Sequence, residues 1–185
     1  MTIPPKRILI DQDGVLADFE QGVQLAWLEK FGTKLPPLPN GRKSFYLADD
    51  YPQFKDELRA IYASQGFFEN LPPIAGAIDA LQELLQAGID VRICTAPINA
   101  YRHCVAEKFM WVERHLGYDW THRIILTKDK TWACGDILID DKPQITGTLD
   151  PMWTHWHYAQ AYNAHLPNHK VTWTDRASWV DLLED

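Results

Sequence analysis

Apolar positions along the chain fall into two kinds of segment: short unbroken runs, and stretches with a helical repeat. The first run, residues 7–10, ends abruptly at Asp11 and predicts a buried strand. Phe19, Val23, Trp27 and Phe31 then recur at every fourth position, as one face of a helix does, and Gly32 is a natural stop. Pro36, Pro37 and Pro39, with Asn40 and Gly41, make residues 33–41 a loop. Phe54, Leu58 and Ile61 suggest a second short helix, and Leu71-Pro72-Pro73 closes the section. Beyond it the pattern becomes regular. Ile78, Leu81, Leu84 and Leu85 mark a helix ended by Gly88, and residues 89–94 form a strand that stops at Thr95. Tyr101, Val105, Phe109, Val112 and Leu116 mark a long helix ending near Gly117. Residues 124–126 and 137–139 are strands, the second stopping at Asp140-Asp141, and a late apolar helix is expected around Trp179, Leu182 and Leu183.

Strands alternating with helices imply a parallel sheet covered on both faces, a three-layer α/β Rossmann-like core. Residues 18–70 break the alternation, being helical, loop-rich and aromatic. They read as a small helical cap inserted after the first strand, with the core built from residues 1–17 and 71–185.

Composition narrows the partners. The 185 residues are 46% hydrophobic, which suits a packed protein, and the net charge is −7. That balance argues against polymeric nucleic acid and anionic membranes, but not against a small anion held in a local cationic site. Cys94, Cys104 and Cys134 form no C-x-x-C pair, so neither a disulfide framework nor a structural zinc is expected, and a reducing cytoplasm is the natural home. No signal peptide and no membrane span is expected.

Each of three strands ends in a chemically useful residue: Asp11, Thr95 and the pair Asp140-Asp141. Ligands of open parallel sheets bind at the carboxyl ends of strands, so these groups should converge, with Lys128 and Lys130 entering from the same edge. Crowded carboxylates repel one another, and a hard divalent cation relieves the repulsion; oxygen ligands with room for water suit Mg2+. A cation and a lysine together can neutralise a phosphate, and a carboxylate can attack it. Gly14 permits a sharp turn beside Asp13 that brings backbone amides toward the anion. Taken singly these signals are weak, since D-x-D-G also occurs in turns and calcium loops, and Asp-Asp can simply cap a helix. Their joint order, each at a strand end, points to a site.

The segment Asp11-Gln12-Asp13-Gly14-Val15-Leu16-Ala17-Asp18 resembles the first motif of the haloacid dehalogenase-like (HAD) phosphatases. Thr95 stands where their second motif has its hydroxyl, Lys130 resembles the lysine of the third, and Asp140-Asp141 the acidic pair of the fourth. More closely, the chain resembles the 5'(3')-deoxyribonucleotidases. The resembling stretches are Asp13 to Glu20, Ile93-Cys94-Thr95-Ala96-Pro97, Glu107-Lys108 with Trp111-Val112-Glu113, Leu126 to Thr131, and Leu138 to Pro143, while the last ~40 residues match poorly.

The resemblance implies roles. Asp11 would attack phosphorus, forming an aspartyl-phosphate, and Asp13 would protonate the leaving alcohol and then activate water. Asp11, the Asp13 carbonyl and Asp141 would hold Mg2+, with Asp140 in the acidic shell. Thr95, Ala96 and Lys130 would hold phosphate oxygens, with Lys108 a further positive group near the leaving side. Phe19, Phe45, Tyr46 and Leu47 fall where cap and core line a pocket for the nucleobase. The implied substrates are nucleoside monophosphates, preferably deoxyribonucleotides such as dUMP and dTMP. Apolar walls also disfavour a ribose 2'-hydroxyl, because a buried hydroxyl without a partner is costly. Two positions depart from the pattern: Ala96 replaces the usual Ser, and Tyr46 stands where better-known members have Trp. Both bear on substrate preference more than on chemistry. A phosphatase for another small phosphomonoester and a non-catalytic phosphate-binding protein remain the alternatives, and the oligomeric state, a homodimer included, stays open.

Other features have plainer readings. Trp153-Thr-His155-Trp-His157 reads as an alternating strand rather than a metal site, with histidines on one face and tryptophans on the other. Cys94 reads as a buried, inert thiol. Asp49-Asp50 and Glu184-Asp185 read as solvated pairs.

Overall fold

The computed structural model describes residues 6–183, which leaves Glu184-Asp185 outside the described residues. Six parallel strands form one sheet in the order β3-β2-β1-β4-β5-β6. They are β1 (Arg7–Ile10), β2 (Asp90–Thr95), β3 (Ile124–Leu126), β4 (Ile137–Asp140), β5 (Thr154–Tyr158) and β6 (Lys170–Val171). The chain crosses from β1 to β2 and β3 on one side, then returns to β4, β5 and β6 on the other. The order therefore reverses at β1, where crevices open in such sheets.

Alternation along β1 divides the core. Ile8 and Ile10 point into a large apolar cluster with Leu81, Leu84, Trp111 and Val112. Leu9 points to the opposite face, with Cys94, Leu138, Ala133 and Trp153. The helices α4 (Ala77–Gln86) and α5 (Tyr101–Leu116) supply those four partners of the large cluster. Truncating a side chain as enclosed as Trp111 typically costs about 3–5 kcal/mol.

No strand of the sheet comes from residues 18–70. That stretch holds α1 (Phe19–Phe31), α2 (Leu47–Asp50) and α3 (Lys55–Ala63). Helix α1 starts where the Asp18 carboxylate accepts from Gln21 N at 2.9 Å, and ends at Gly32, whose φ of 70° lies in the left-handed region. Val23 and Trp27 are buried as their spacing predicts, and Trp27 stacks on half-exposed Phe31 at 4.3 Å. Side chains of α5 hold the end of this segment and the residue that follows it. The Glu107 carboxylate accepts from Gly66 N (2.6 Å) and Phe68 N (3.1 Å), and the Trp111 indole donates to Leu71 O (2.8 Å).

The C-terminal part differs from the sequence reading. In place of a late helix there are two 3-10 turns, Arg176–Ser178 and Val180–Leu183. Trp179 sits between them at φ −137° and interrupts any continuous helix, although Trp179 and Leu182 are buried as expected. Strand β5 carries His155 and His157 on one face and Trp156 on the other. Trp153 precedes the strand and lies on the histidine side, 6.2 Å from the His155 ring, so the tryptophans do not share a face. The histidines contact backbone carbonyls, Asp140 O at 3.4 Å and Pro143 O at 3.2 Å, and burial lowers the pKa of both. Both are explained by packing.

Candidate active site

The register of β1 against β2 and β4 sets Asp11, Thr95 and Asp140 side by side at one sheet edge. The loop after β1 is tight. Gly14 N donates to Ala17 O (2.8 Å), while the amides of Val15 (3.4 Å), Leu16 (2.8 Å) and Ala17 (2.8 Å) all reach Gln12 O. The amides of residues 14–17 therefore close the loop on itself. Gly14 is required twice over: its φ is 78°, and a Cβ there would lie 2.3 Å from Asp141 Oδ2. That absence of a side chain lets the β4 loop approach the β1 loop.

Two lysines organise the carboxylates. Lys130 Nζ lies 2.8 Å from Asp11 Oδ1 and 2.5 Å from Asp140 Oδ2. Burial alone would lower its pKa, but Asp11 and Asp140 more than offset that and hold it above the ordinary value. Lys108, fully buried, donates to Asp13 Oδ2 at 2.6 Å and to Thr95 Oγ1 at 2.9 Å. It lies behind Asp13, its ammonium 5.1 Å from the Phe68 ring centroid, and does not line the cavity. Thr95 is likewise enclosed, whereas Ala96 faces the cavity. Asp13 keeps 22% of its side chain exposed. Its pKa is raised, first by burial and also by Asp11, against the lowering effect of Lys108. Asp140 and Asp141 are raised as well, chiefly by burial.

The donor set can be tested for a cation from its unfilled valences. Asp11, Asp140 and Asp141 each offer an oxygen within 4.8 Å of the others. Asp140 is already satisfied, by Lys130 on Oδ2 and by Lys142 N (2.8 Å) on Oδ1. Asp141 Oδ1 and Asp13 Oδ1 are buried without a hydrogen-bond partner. Unpaired buried carboxylate oxygens are costly; a divalent cation at Asp11 and Asp141 would satisfy Asp141 Oδ1, while Asp13 Oδ1 stays free to carry a proton. The residues fit Mg2+, with Asp141 the better ligand of the acidic pair.

One cavity of about 1230 Å3 takes in Asp11, Asp13, Lys130, Asp140 and Asp141 together with Phe19, Phe45, Tyr46 and Leu47. Phe45 meets Tyr46 edge-on at 5.0 Å, and Tyr46 is 62% exposed. Phe19 belongs to a different aromatic group, packing on Tyr62 (5.1 Å) and Phe67 (5.4 Å). Leu47 is almost fully buried beneath them. Lys128 ties the β2 and β3 loops together through Pro97 O and Asn99 Oδ1 (3.0 Å).

Several participants escaped the sequence reading. Arg42 lines the cavity and braces the aromatic wall: it pairs with Glu20 (3.0 Å) and Asp50 (3.4 Å) and donates to Ser44 O (2.7 Å) and Phe45 O (2.8 Å). Asp50, which the sequence suggested was solvated, is thus engaged by Arg42. Its carboxyl also accepts from Ser44 N and Lys43 N, which hold its pKa down against the effect of burial. Tyr162 donates to Asp141 Oδ2, and Gln160 Nε2 donates to Gly14 O at 2.9 Å. Burial and the adjoining Asp141 raise the Tyr162 phenol pKa. Only the basic pair Arg42-Lys43 at the end of the proline-rich loop could have flagged Arg42, and nothing local marks Gln160 or Tyr162. Cys94 is buried as read, and burial pushes its thiol up to about 12.

A parallel sheet with Asp11 at its switch point, faced by Lys130 and the Asp140-Asp141 pair, is the architecture of the HAD fold. A HAD family hydrolase of Deinococcus radiodurans R1, solved with bound phosphate and sodium, has the same fold: its TM-score is 0.57 at 18% identity, over 97% of this chain and 96% of that one. The family model described as "5' nucleotidase, deoxy (Pyrimidine), cytosolic type C protein" matches residues 6–183. The chain belongs to the 5'(3')-deoxyribonucleotidase family of phosphoric monoester hydrolases. It is 40% identical to the human cytosolic-type 5'(3')-deoxyribonucleotidase, covering 96% of this chain and 93% of that protein. It is 51% identical to a provisionally named 5'(3')-deoxyribonucleotidase of Bordetella pertussis, over 84% of each chain. Among the described residues no helix is long and apolar enough to cross a membrane.

Proposed function

We propose that this phosphatase requires Mg2+, works through an aspartyl-phosphate on Asp11, and prefers deoxyribonucleoside monophosphates with uracil or thymine bases. The observation that carries the reading is a single cavity uniting the Asp11–Asp13–Asp141–Lys130 group with the Phe45–Tyr46 wall and, from a separate aromatic group, Phe19. The proposed cap is residues 18–70, and the proposed compartment is the cytoplasm.

Bound Mg2+ would be held by Asp11, Asp141 and the Asp13 carbonyl, and would supply charge neutralisation for the phosphate. A carboxylate oxygen of Asp11 attacks phosphorus as the ester P–O bond breaks. The departing oxygen takes a proton from Asp13, whose pKa burial raises, the direction that suits a proton donor. Asp13, now a carboxylate, takes a proton from water; the resulting nucleophile attacks the aspartyl-phosphate, freeing Asp11 and inorganic phosphate. Lys130 balances Asp11 and the phosphate oxygens throughout. Lys108 acts one step back, by orienting Asp13 and Thr95. Lys108→Met should therefore lower kcat on a nucleotide by about 10²–10⁴-fold, the usual worth of a placed acid–base group. On p-nitrophenyl phosphate, whose leaving group needs little protonation, the loss should be much smaller. Equal losses on the two esters would mean that Lys108 does not work through Asp13.

Flat aromatic walls suit a nucleobase, since stacking is worth about 1–3 kcal/mol per base in nucleic-acid systems. Phe19→Ala and Tyr46→Ala should each lower kcat/KM for dUMP by about 10-fold or more, while p-nitrophenyl phosphate changes little. A comparable fall on both substrates would reduce the aromatics to packing between cap and core.

A further inference from the structure

The turn that follows β5 touches both halves of the site. It grips the β1 loop through Gln160 Nε2 on Gly14 O (2.9 Å), and the β4 loop through Asn163 Nδ2 on Asp141 O (2.8 Å). Asn163 also binds Tyr158 O (2.8 Å) and accepts from Gln160 N (3.0 Å), so the turn is internally braced. Tyr162, almost fully buried, sits at its centre. Its hydroxyl donates to Asp141 Oδ2, the same oxygen that faces Gly14. Asp141 Oδ1 is left without a partner. The Tyr162 ring meanwhile lies 4.6 Å from the Arg42 guanidinium and packs edge-on against Phe45 at 5.9 Å.

We propose that Tyr162 is a positioning residue joining the two ends of the site: its hydroxyl turns Asp141 so that Oδ1 is presented to the cation, and its ring seats the Arg42–Phe45 wall against the core. Two features of the geometry support this. A carboxylate beside Gly14, with no Cβ to limit it, needs another contact to fix its rotation, and the Tyr162 hydroxyl is the side-chain donor that Asp141 has. The aromatic wall comes from the stretch between α1 and α2, where Arg42 is braced by cap residues, and Tyr162 is the core ring it meets. Partners that orient a metal ligand are typically worth about 10–100-fold in metal affinity.

This inference rests on the Mg2+ reading above, and the test separates the two. Mg2+ is titrated into metal-stripped wild type and Tyr162→Phe, following both the melting temperature and turnover of dUMP. Removing the hydroxyl alone should raise the half-saturating Mg2+ concentration about 10–100-fold in both readouts. Saturating Mg2+ should restore kcat, and KM for dUMP should stay near wild type because the ring remains. Tyr162→Leu should show the same metal defect and in addition raise KM for dUMP much more than KM for p-nitrophenyl phosphate. Unchanged Mg2+ midpoints in Tyr162→Phe, or a kcat loss that no Mg2+ concentration repairs, would overturn the proposal. A wild-type enzyme whose melting ignores Mg2+ would overturn the metal reading, and this inference with it.

Discussion

Asp11→Asn should leave the enzyme folded and without measurable turnover, a fall of at least about 10⁴-fold in kcat. The substitution keeps the shape of the side chain. The Asp11 amide still donates to Ile139 O (2.9 Å), and Lys130 keeps its partner Asp140 at 2.5 Å, so the melting temperature should change little. What is lost is the nucleophilic oxygen. Quenching the wild type in acid during turnover of a labelled substrate should leave phosphate on residue 11, and the variant should carry none. Wild-type rates in Asp11→Asn would require a different nucleophile. Cys94 offers no substitute, since it is buried and its thiol is pushed up to about 12.

Chelation should be equally severe. EDTA should reduce turnover to background and Mg2+ should restore it, while Ca2+, with looser coordination, should inhibit. Asp11, Asp140 and Asp141 bring oxygens within 4.8 Å of one another, and Lys130 alone does not balance them against an incoming phosphate. The same crowding has a stability consequence. Burial raises the folded-state pKa of Asp13, Asp140 and Asp141 above the ordinary 3.8, Asp140 to about 6. A carboxyl raised on folding binds its proton more tightly in the native state. Its contribution is therefore most favourable below pH 3.8 and is lost as pH rises through the folded value. The part of the stability that these three carboxyls supply to the metal-free protein should be lost from about pH 4 to beyond pH 6, against the opposite contribution of the lowered histidines His155 and His157, and bound Mg2+ should offset the carboxyl part. The rise in melting temperature on adding Mg2+ should thus be small near pH 4 and grow toward pH 7. Undiminished turnover in EDTA, or a thermal shift indifferent to pH, would contradict the metal assignment.

Much of the fold was legible because its signals are local. The short segments at 7–10, 124–126 and 137–139 are mostly apolar, 89–94 alternates apolar and polar residues, each is followed by a polar residue, and all four correspond to strands. The fourfold spacing from Phe19 and the stop at Gly32 mark a real helix. Misreadings cluster near the C-terminus, where local signals conflict or are too short. Lys170–Val171 is a strand of two residues, below any periodicity, and is defined by pairing with β5. Around Trp179 the apolar spacing was helical, but the burial is achieved by two short turns instead. Trp153 was assigned to a face by counting, yet it lies before the strand, where alternation does not apply.

By itself the sequence determined which chemistry is present and where along each strand it falls: Asp11, Thr95, Lys130 and Asp140-Asp141 all follow apolar runs or their loops. Parallel pairing then obliges those ends to meet, which is why the site could be read before its geometry. Only the tertiary structure decided how the groups divide their work. Lys108 stands behind Asp13 rather than in the cavity, because α5 packs its buried face under the β1 loop. Asp141 rather than Asp140 keeps a free oxygen, because Lys130 and the Lys142 amide occupy Asp140. Arg42, Gln160 and Tyr162 join the site from loops far away in sequence, and side chains placed by long-range packing carry no local pattern. A periodicity reports which face of an element is buried; it cannot report what that face is buried against.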